Sequence, residues 1–271
     1  MRALLPILPL LAIGCSPAET GQTPQVDGPS TRTVVASASA SSSETTAQQK
    51  GGAKAVTRSD EVLEYSFSYP AAVGAIPELA RLIESQAQKA EAEQRALALA
   101  HSKQAEEDGF AFRPYGLSQE WEVVADLPSW LSLSNEVWIY TGGAHGMYGT
   151  EALVWNKQAR RALEAMNLFT SPAALMAALR PRYCAALDEA RRARGREMGI
   201  GEGLFDNCPD IDELTVLLGS SNGRTFDRLT LYAGPYVAGS YAEGAYETDL
   251  TVDAAVLAAV KPRYRSAFSV R

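Results

Sequence analysis

A compositional break near residue 57 limits how this chain folds. Ser16 to about Thr57 is rich in Ser, Thr, Ala, Gly, Pro and Gln, including the run Ala36-Ser37-Ala38-Ser39-Ala40-Ser41-Ser42-Ser43. It holds few aromatics and little periodicity. Such a stretch buries too little apolar surface to offset the entropy of ordering it. Residues 16–57 are therefore expected to form a flexible tether. Any core must come from residues 58–271. Over the whole chain, apolar residues make up 46% and charged residues 21%, the balance of an ordinary globular protein.

The segment before the tether has a separate logic. Met1-Arg2 give a positive start, Ala3 to Ile13 an uncharged apolar run, and Ala12-Ile13-Gly14-Cys15 close it. That order is a secretory signal. A small residue before cysteine resembles a bacterial lipobox, although Ala12 stands where such boxes usually carry Leu. Residues 1–15 are thus expected to be a lipoprotein signal peptide with Cys15 as the lipidated residue. Several acyl chains would anchor it stably. Ser16, not Asp, follows the cysteine, so the expected address is the periplasm-facing envelope at the outer membrane. No later stretch approaches the roughly 18 apolar residues a span needs. The formal net charge of -7 argues against a nucleic-acid partner.

Local patterns in residues 58–271 point to an α+β fold: antiparallel sheets, one long N-terminal helix, and a second helix after a central hairpin. Two subdomains are expected, 58–160 and 161–271. Glu61–Tyr69 is β-prone and ends at Pro70. Pro77 suits the first turn of a helix running to Glu107, with Gly109 ending it. Ile76, Leu79, Leu82 and Ile83 form its apolar stripe, which thins past Ala87. Trp121–Asp126 reads as a strand. In Leu131–Tyr140, Leu131, Leu133, Val137 and Ile139 share one face. Ser132, Ser134, Glu136, Trp138 and Tyr140 share the other. Ser171-Pro172 starts a helix that stops at Gly195. Leu214–Leu218 and Arg228–Tyr232 flank the Asn222-Gly223 turn signal. Thr248–Val252 and a short helix capped by Asp253 complete the chain.

With Cys15 lipidated, Cys184 and Cys208 remain, a pair that suits a disulfide in an oxidising compartment; two free buried thiols are the other reading. Gly142-Gly143-Ala144-His145-Gly146 demands positive φ or close approach of another group. His145 there is either a structural hydrogen-bond donor or a binding or catalytic group. Gly219-Ser220-Ser221-Asn222-Gly223 matches a nucleophile pattern in letters, but a strand follows it and both histidines, His101 and His145, precede it. No metal or other cofactor is expected, since His101 and His145 are far apart with no paired ligand motif. Arg191, Arg192, Arg194 and Arg196 read as a solvated helix end complementing the dipole; an anionic glycan or partner is the other reading. Tyr236 and Tyr241 lie in a Gly/Pro-rich stretch, where they either pack a loop or stack on a ligand.

Three motifs occur in order: Tyr140-Thr141-Gly142-Gly143-Ala144-His145-Gly146, then Asn167-Leu168-Phe169, then Gly234-Pro235-Tyr236 closing at Gly239. Together they resemble an extracytoplasmic domain family. It is found in RsiV-type anti-sigma factors, which sense lysozyme, and in the non-catalytic N-terminal region of PdaC-type peptidoglycan deacetylases. The resemblance implies an α+β fold and an envelope location. No match exists here to the deacetylase's paired Asp and His-x-x-x-His metal motif. The expected function is non-enzymatic binding of a cell-wall glycan or a wall-active protein such as lysozyme. Tyr140, Gly142, Gly143, His145, Tyr236 and Tyr241 are the candidate binding residues. The alternative is an envelope hydrolase or deacetylase-associated protein using His145 with a carboxylate.

Overall fold

A computed structural model describes residues 43–47, 52–196, 203 and 205–271. The predicted signal peptide and Cys15 lie outside them. Residues 40–271 belong to one compact unit. Seven strands form the first sheet in sequential order: β1 (Ser43–Ala47), β2 (Lys54–Ser59), β3 (Leu63–Tyr69), β4 (Tyr115–Asp126), β5 (Trp130–Tyr140), β6 (Met147–Asn156) and β7 (Arg161–Leu163). The second sheet has the order β10 (Tyr246–Thr251), β9 (Arg228–Ala233), β8 (Thr215–Gly219). The helices are α1 (Ala71–Gly74), α2 (Pro77–Asp108), α3 (Pro172–Ala193) and α4 (Ala254–Ala259). The architecture is α+β.

Two expectations need correction. The first is the direction of pairing: β3 and β4 are parallel, so the first sheet is mixed. A parallel pair needs a long crossover, and α2 supplies it. The second is the tether. β1 and the first part of β2 fall inside the expected 16–57 stretch, because β2 finds a complete antiparallel partner in β3. Where its apolar stripe thins, beyond Ala87, α2 is largely exposed; Ala98 is the one buried residue there, and Gln94 donates to the carbonyl oxygen of Tyr140 at 3.1 Å. The start and stop signals of α2 are as read. Pro77 occupies its first turn, and Gly109 at φ 73° ends it.

The alternation of β5 builds the core. Leu131 and Leu133 join Leu63, Phe67, Leu79, Ile83 and Trp121 between the first sheet and α2. Ion pairs Arg58–Glu91 at 2.7 Å and Arg95–Asp60 at 2.7 Å fasten α2 to the β2–β3 end. The opposite face is covered only in part. There β8 packs on β4, β5 and β6, so Ser132 and Ser134 are buried. A second apolar cluster joins α3 (Leu175, Leu179, Leu187) to β8 and β9 (Leu218, Leu229, Leu231). That cluster reaches back to Trp130 and Val154 of the first sheet, across the expected boundary at residue 160.

The local caps follow the sequence signals. Ser171 accepts from Ala174 N and Asp253 from Val256 N, each closing a first helical turn. A disulfide joins Cys184 of α3 to Cys208. Asn222-Gly223 is not a two-residue hairpin turn. It sits in a longer loop built on Asp227, whose carboxylate accepts from Ser221 N at 2.7 Å, Ser221 Oγ at 2.6 Å and Asn222 Nδ2 at 3.0 Å.

Candidate functional site

The β5–β6 connection and the β9–β10 connection meet. In the first, Gly142 and Gly143 take φ of 94° and 87°, the left-handed region that favours glycine. A Cβ at either would meet nothing, so conformation alone requires them. Gly146 has the other reason for being glycine: a Cβ there would lie 2.5 Å from Trp138 Nε1. Tyr140 caps the turn by donating to Gly143 O at 3.1 Å.

His145 is exposed. Its Nδ1 lies 2.9 Å from Gly146 O; a carbonyl only accepts, so Nδ1 carries the proton. The imidazole stacks on Tyr241 with ring centroids 3.8 Å apart, and Tyr241 donates to the same Gly146 carbonyl at 2.8 Å. Tyr148 meets Tyr241 edge-on at 5.8 Å, and Tyr236 lies 5.9 Å away. Tyr236 is half exposed and holds φ of 69°, a left-handed conformation that costs a tyrosine on the order of 1–2 kcal/mol. Among the described residues no carboxylate hydrogen-bonds His145. The hydrolase alternative required one, and it loses that support.

The arginine cluster behind this loop is not a solvated helix end. Arg191 is fully buried. Its guanidinium donates to Ala238 O at 3.1 and 3.0 Å, to Asn207 O at 3.0 Å and to Phe205 O, and pairs with Asp188 at 3.3 Å. Arg194 donates to Glu243 O at 2.6 Å and Ala245 O at 2.8 Å and lies over the Tyr246 ring at 3.9 Å. Arg196 bridges Ala238 O at 3.0 Å and the Asp206 carboxylate at 2.9 Å. Arg192 and Arg194 remain exposed, Arg192 paired with Glu189. Loops expose carbonyls that no ladder satisfies, and a guanidinium fork is the side chain with enough donors to collect them. The cluster thus holds the loop that carries Tyr236 and Tyr241. Burial pushes the Glu243 carboxyl up, but hydrogen bonds from Ser240 and Tyr246 and the Arg196 charge outweigh it and hold it below its ordinary value.

Sequence reasoning missed the residues that join this loop to the sheet. Cross-strand registry places Ser66, Ser118, Trp138 and Tyr148 in one row, and Ser68, Glu120, Glu136 and Thr150 in the next. Trp138 is 38% exposed and lies 6.2 Å from Tyr140 in a near-parallel stack. Its ring lies over Gly116, where a Cβ would collide with it. A hollow of about 320 Å³ opens beside it toward Glu120, Glu136, Tyr232 and Glu247. A second, of about 270 Å³, opens on its other side toward Thr57, Ser59 and Ser66. The available signal was a tryptophan on the polar face of an alternating strand.

Among the described residues no group of three or more His, Cys, Asp or Glu is arranged to hold a metal ion. No helix among them is long and apolar enough to cross a membrane. His101 lies apart, against the Tyr115 hydroxyl. Ser221 serves the Asp227 loop, whose partners contain no histidine.

Fold and site together define a two-sheet α+β protein with an open groove lined by aromatic and acidic side chains. Residues 56–148 match the family model described as Deacetylase PdaC, which bears out the resemblance over that stretch. Two solved structures are similar to the chain. One is a DUF3298 family member from Bacteroides fragilis, 17% identical, covering 78% of this chain and 88% of that one, with a TM-score of 0.42. The other is a DUF3298 family protein from Pseudomonas aeruginosa, 16% identical, covering 86% and 96%, with a TM-score of 0.40. No curated protein matches the chain.

Proposed function

We propose that this protein is a non-enzymatic binding protein of the cell envelope, held at the outer membrane by lipid on Cys15, and that its target is a cell-wall glycan. The observation that carries this reading is the aromatic surface of Trp138, His145, Tyr148 and Tyr236, which are exposed, backed by the half-buried Tyr140 and Tyr241. Rings presented on a rigid sheet and an anchored loop offer flat, low-entropy contact area of the kind that recognises sugar rings. The PdaC-type match over residues 56–148 supports an envelope address.

A second reading, a wall-active basic protein such as lysozyme, is favoured by the net charge of -7. Calorimetry of the full chain with muropeptides and with lysozyme tests both. Heat with muropeptides is expected, and its absence with either partner would refute the binding reading. Mass spectrometry of the native product should show a diacylglyceryl adduct on Cys15; an unmodified Met1 start would remove the anchor.

A further inference from the structure

The groove beside Trp138 carries a charge arrangement that a neutral ligand does not require. Glu120 and Glu136 are direct cross-strand partners in β4 and β5. Like charges placed opposite each other destabilise a strand pair. Both are exposed, as is Glu247 across the hollow. Among the described residues no Lys or Arg forms an ion pair with any of the three, although most other surface cations are paired. Tyr232 lies at the same hollow. Burial pushes its phenol up, and the charges of Tyr148, Glu247 and Glu136 add to that, against a smaller lowering from its hydrogen bond with Thr150.

The three carboxylates are not gathered as a metal site would gather them. They surround a space beside an indole, which is an arrangement for an organic cation with a flat apolar face. Trp138 also borders the second hollow, whose hydroxyls include Ser66 and Ser118, hydrogen-bonded at 2.8 Å. The two hollows, about 320 and 270 Å³, adjoin at Trp138. An oligosaccharide crossing Trp138 would place one ring in each.

We propose that this groove binds an amino-sugar oligosaccharide carrying free, protonated amines, with one ring stacked on Trp138 and an ammonium group held by Glu120, Glu136 and Glu247. The inference rests on the glycan reading above and narrows it. An N-acetylated chain offers the same ring to Trp138 but no cation to relieve the facing carboxylates.

The test uses the full chain, titrated with a fully deacetylated glucosamine tetramer and with its N-acetylated counterpart. Tryptophan fluorescence is a selective readout, since Trp121, Trp130 and Trp155 are buried and Trp138 is exposed. The amine tetramer should shift the emission and bind more tightly, and its affinity should fall with added salt. Glu136→Gln should weaken the amine tetramer by up to about fivefold, the range for an exposed ion pair, and weaken the acetylated one less. Without ligand the same change should raise Tm, because it removes the facing charge. Trp138→Ala should weaken both ligands by roughly tenfold, the scale of one lost aromatic contact. Equal affinity for the two tetramers, or indifference of the amine tetramer to Glu136→Gln, would overturn the proposal. Binding of muropeptides or lysozyme without the amine tetramer would also overturn it while the broader reading stands. Silence from all of them would remove both.

Discussion

Replacing Arg191 with Met is the sharpest probe of how the aromatic loop is held. The two side chains are similar in length, so the change removes donors more than volume. Four carbonyls lose a partner: Ala238, Phe205, Asp206 and Asn207. Asp188 loses its cation as well. Hydrogen bonds from a charged donor contribute about 1.5–3 kcal/mol each when deleted singly, but these share one guanidinium and do not add. Removing one partner of a buried charged network costs about 3–5 kcal/mol. At roughly 2–4 °C per kcal/mol for a chain of this size, Tm should fall by about 6–20 °C. Arg191→Lys keeps the charge without the fork and should fall between the two. Calorimetric melting under non-reducing conditions measures this, because the Cys184–Cys208 bond tethers the same segment. The loss should be accompanied by a change in near-ultraviolet circular dichroism from the Tyr236 and Tyr241 environment. A Tm within about 2 °C of the parent would refute the claim that Arg191 organises this loop, since that is the size of an ordinary surface change.

Other outcomes follow from the same geometry. Replacing both Cys184 and Cys208 with Ala should cost about 3 kcal/mol in the chain-entropy account of a loop with sequence separation 24, read from denaturant midpoints; an unchanged midpoint would mean the bond adds no constraint. Gly146→Ala should displace the Trp138 ring, since the new Cβ would lie 2.5 Å from Nε1, and shift the tryptophan emission maximum; an unmoved spectrum would contradict that packing. Glu243 is held below its ordinary value of 4.5, so its ionised form is favoured by folding. Its contribution to stability is complete above 4.5 and disappears as pH falls through the lower folded value. Glu243→Gln should therefore flatten the fall in Tm below that pH, and parallel curves for the two proteins would exclude the effect.

Much of the fold was legible because local chemistry decides it. Pro77 and Gly109 bound α2, and Ser171 and Asp253 cap their helices, for reasons contained within one turn of chain. The alternation of Leu131–Tyr140 and the glycines at 142 and 143 are likewise local demands of pleat and φ. The cysteine pair was readable by elimination once Cys15 was set aside.

What lies far apart in sequence was decided elsewhere. The letters of β5 give Ser132, Ser134, Glu136 and Trp138 one face, yet the first two are buried and the last two exposed. The difference is where β8 stops covering the sheet, and no local pattern encodes that edge. Arg191 is in the same position: its helical turn reads as solvent-facing, and only the return of residues 205–207 and Ala238 over it makes it the centre of a buried network. The parallel pairing of β3 with β4 depends on α2 carrying the chain back along the sheet between them. Turns and caps are short-range and survive in isolation; the groove exists because separate segments are forced together by the burial of two apolar clusters, and only the folded chain holds that information.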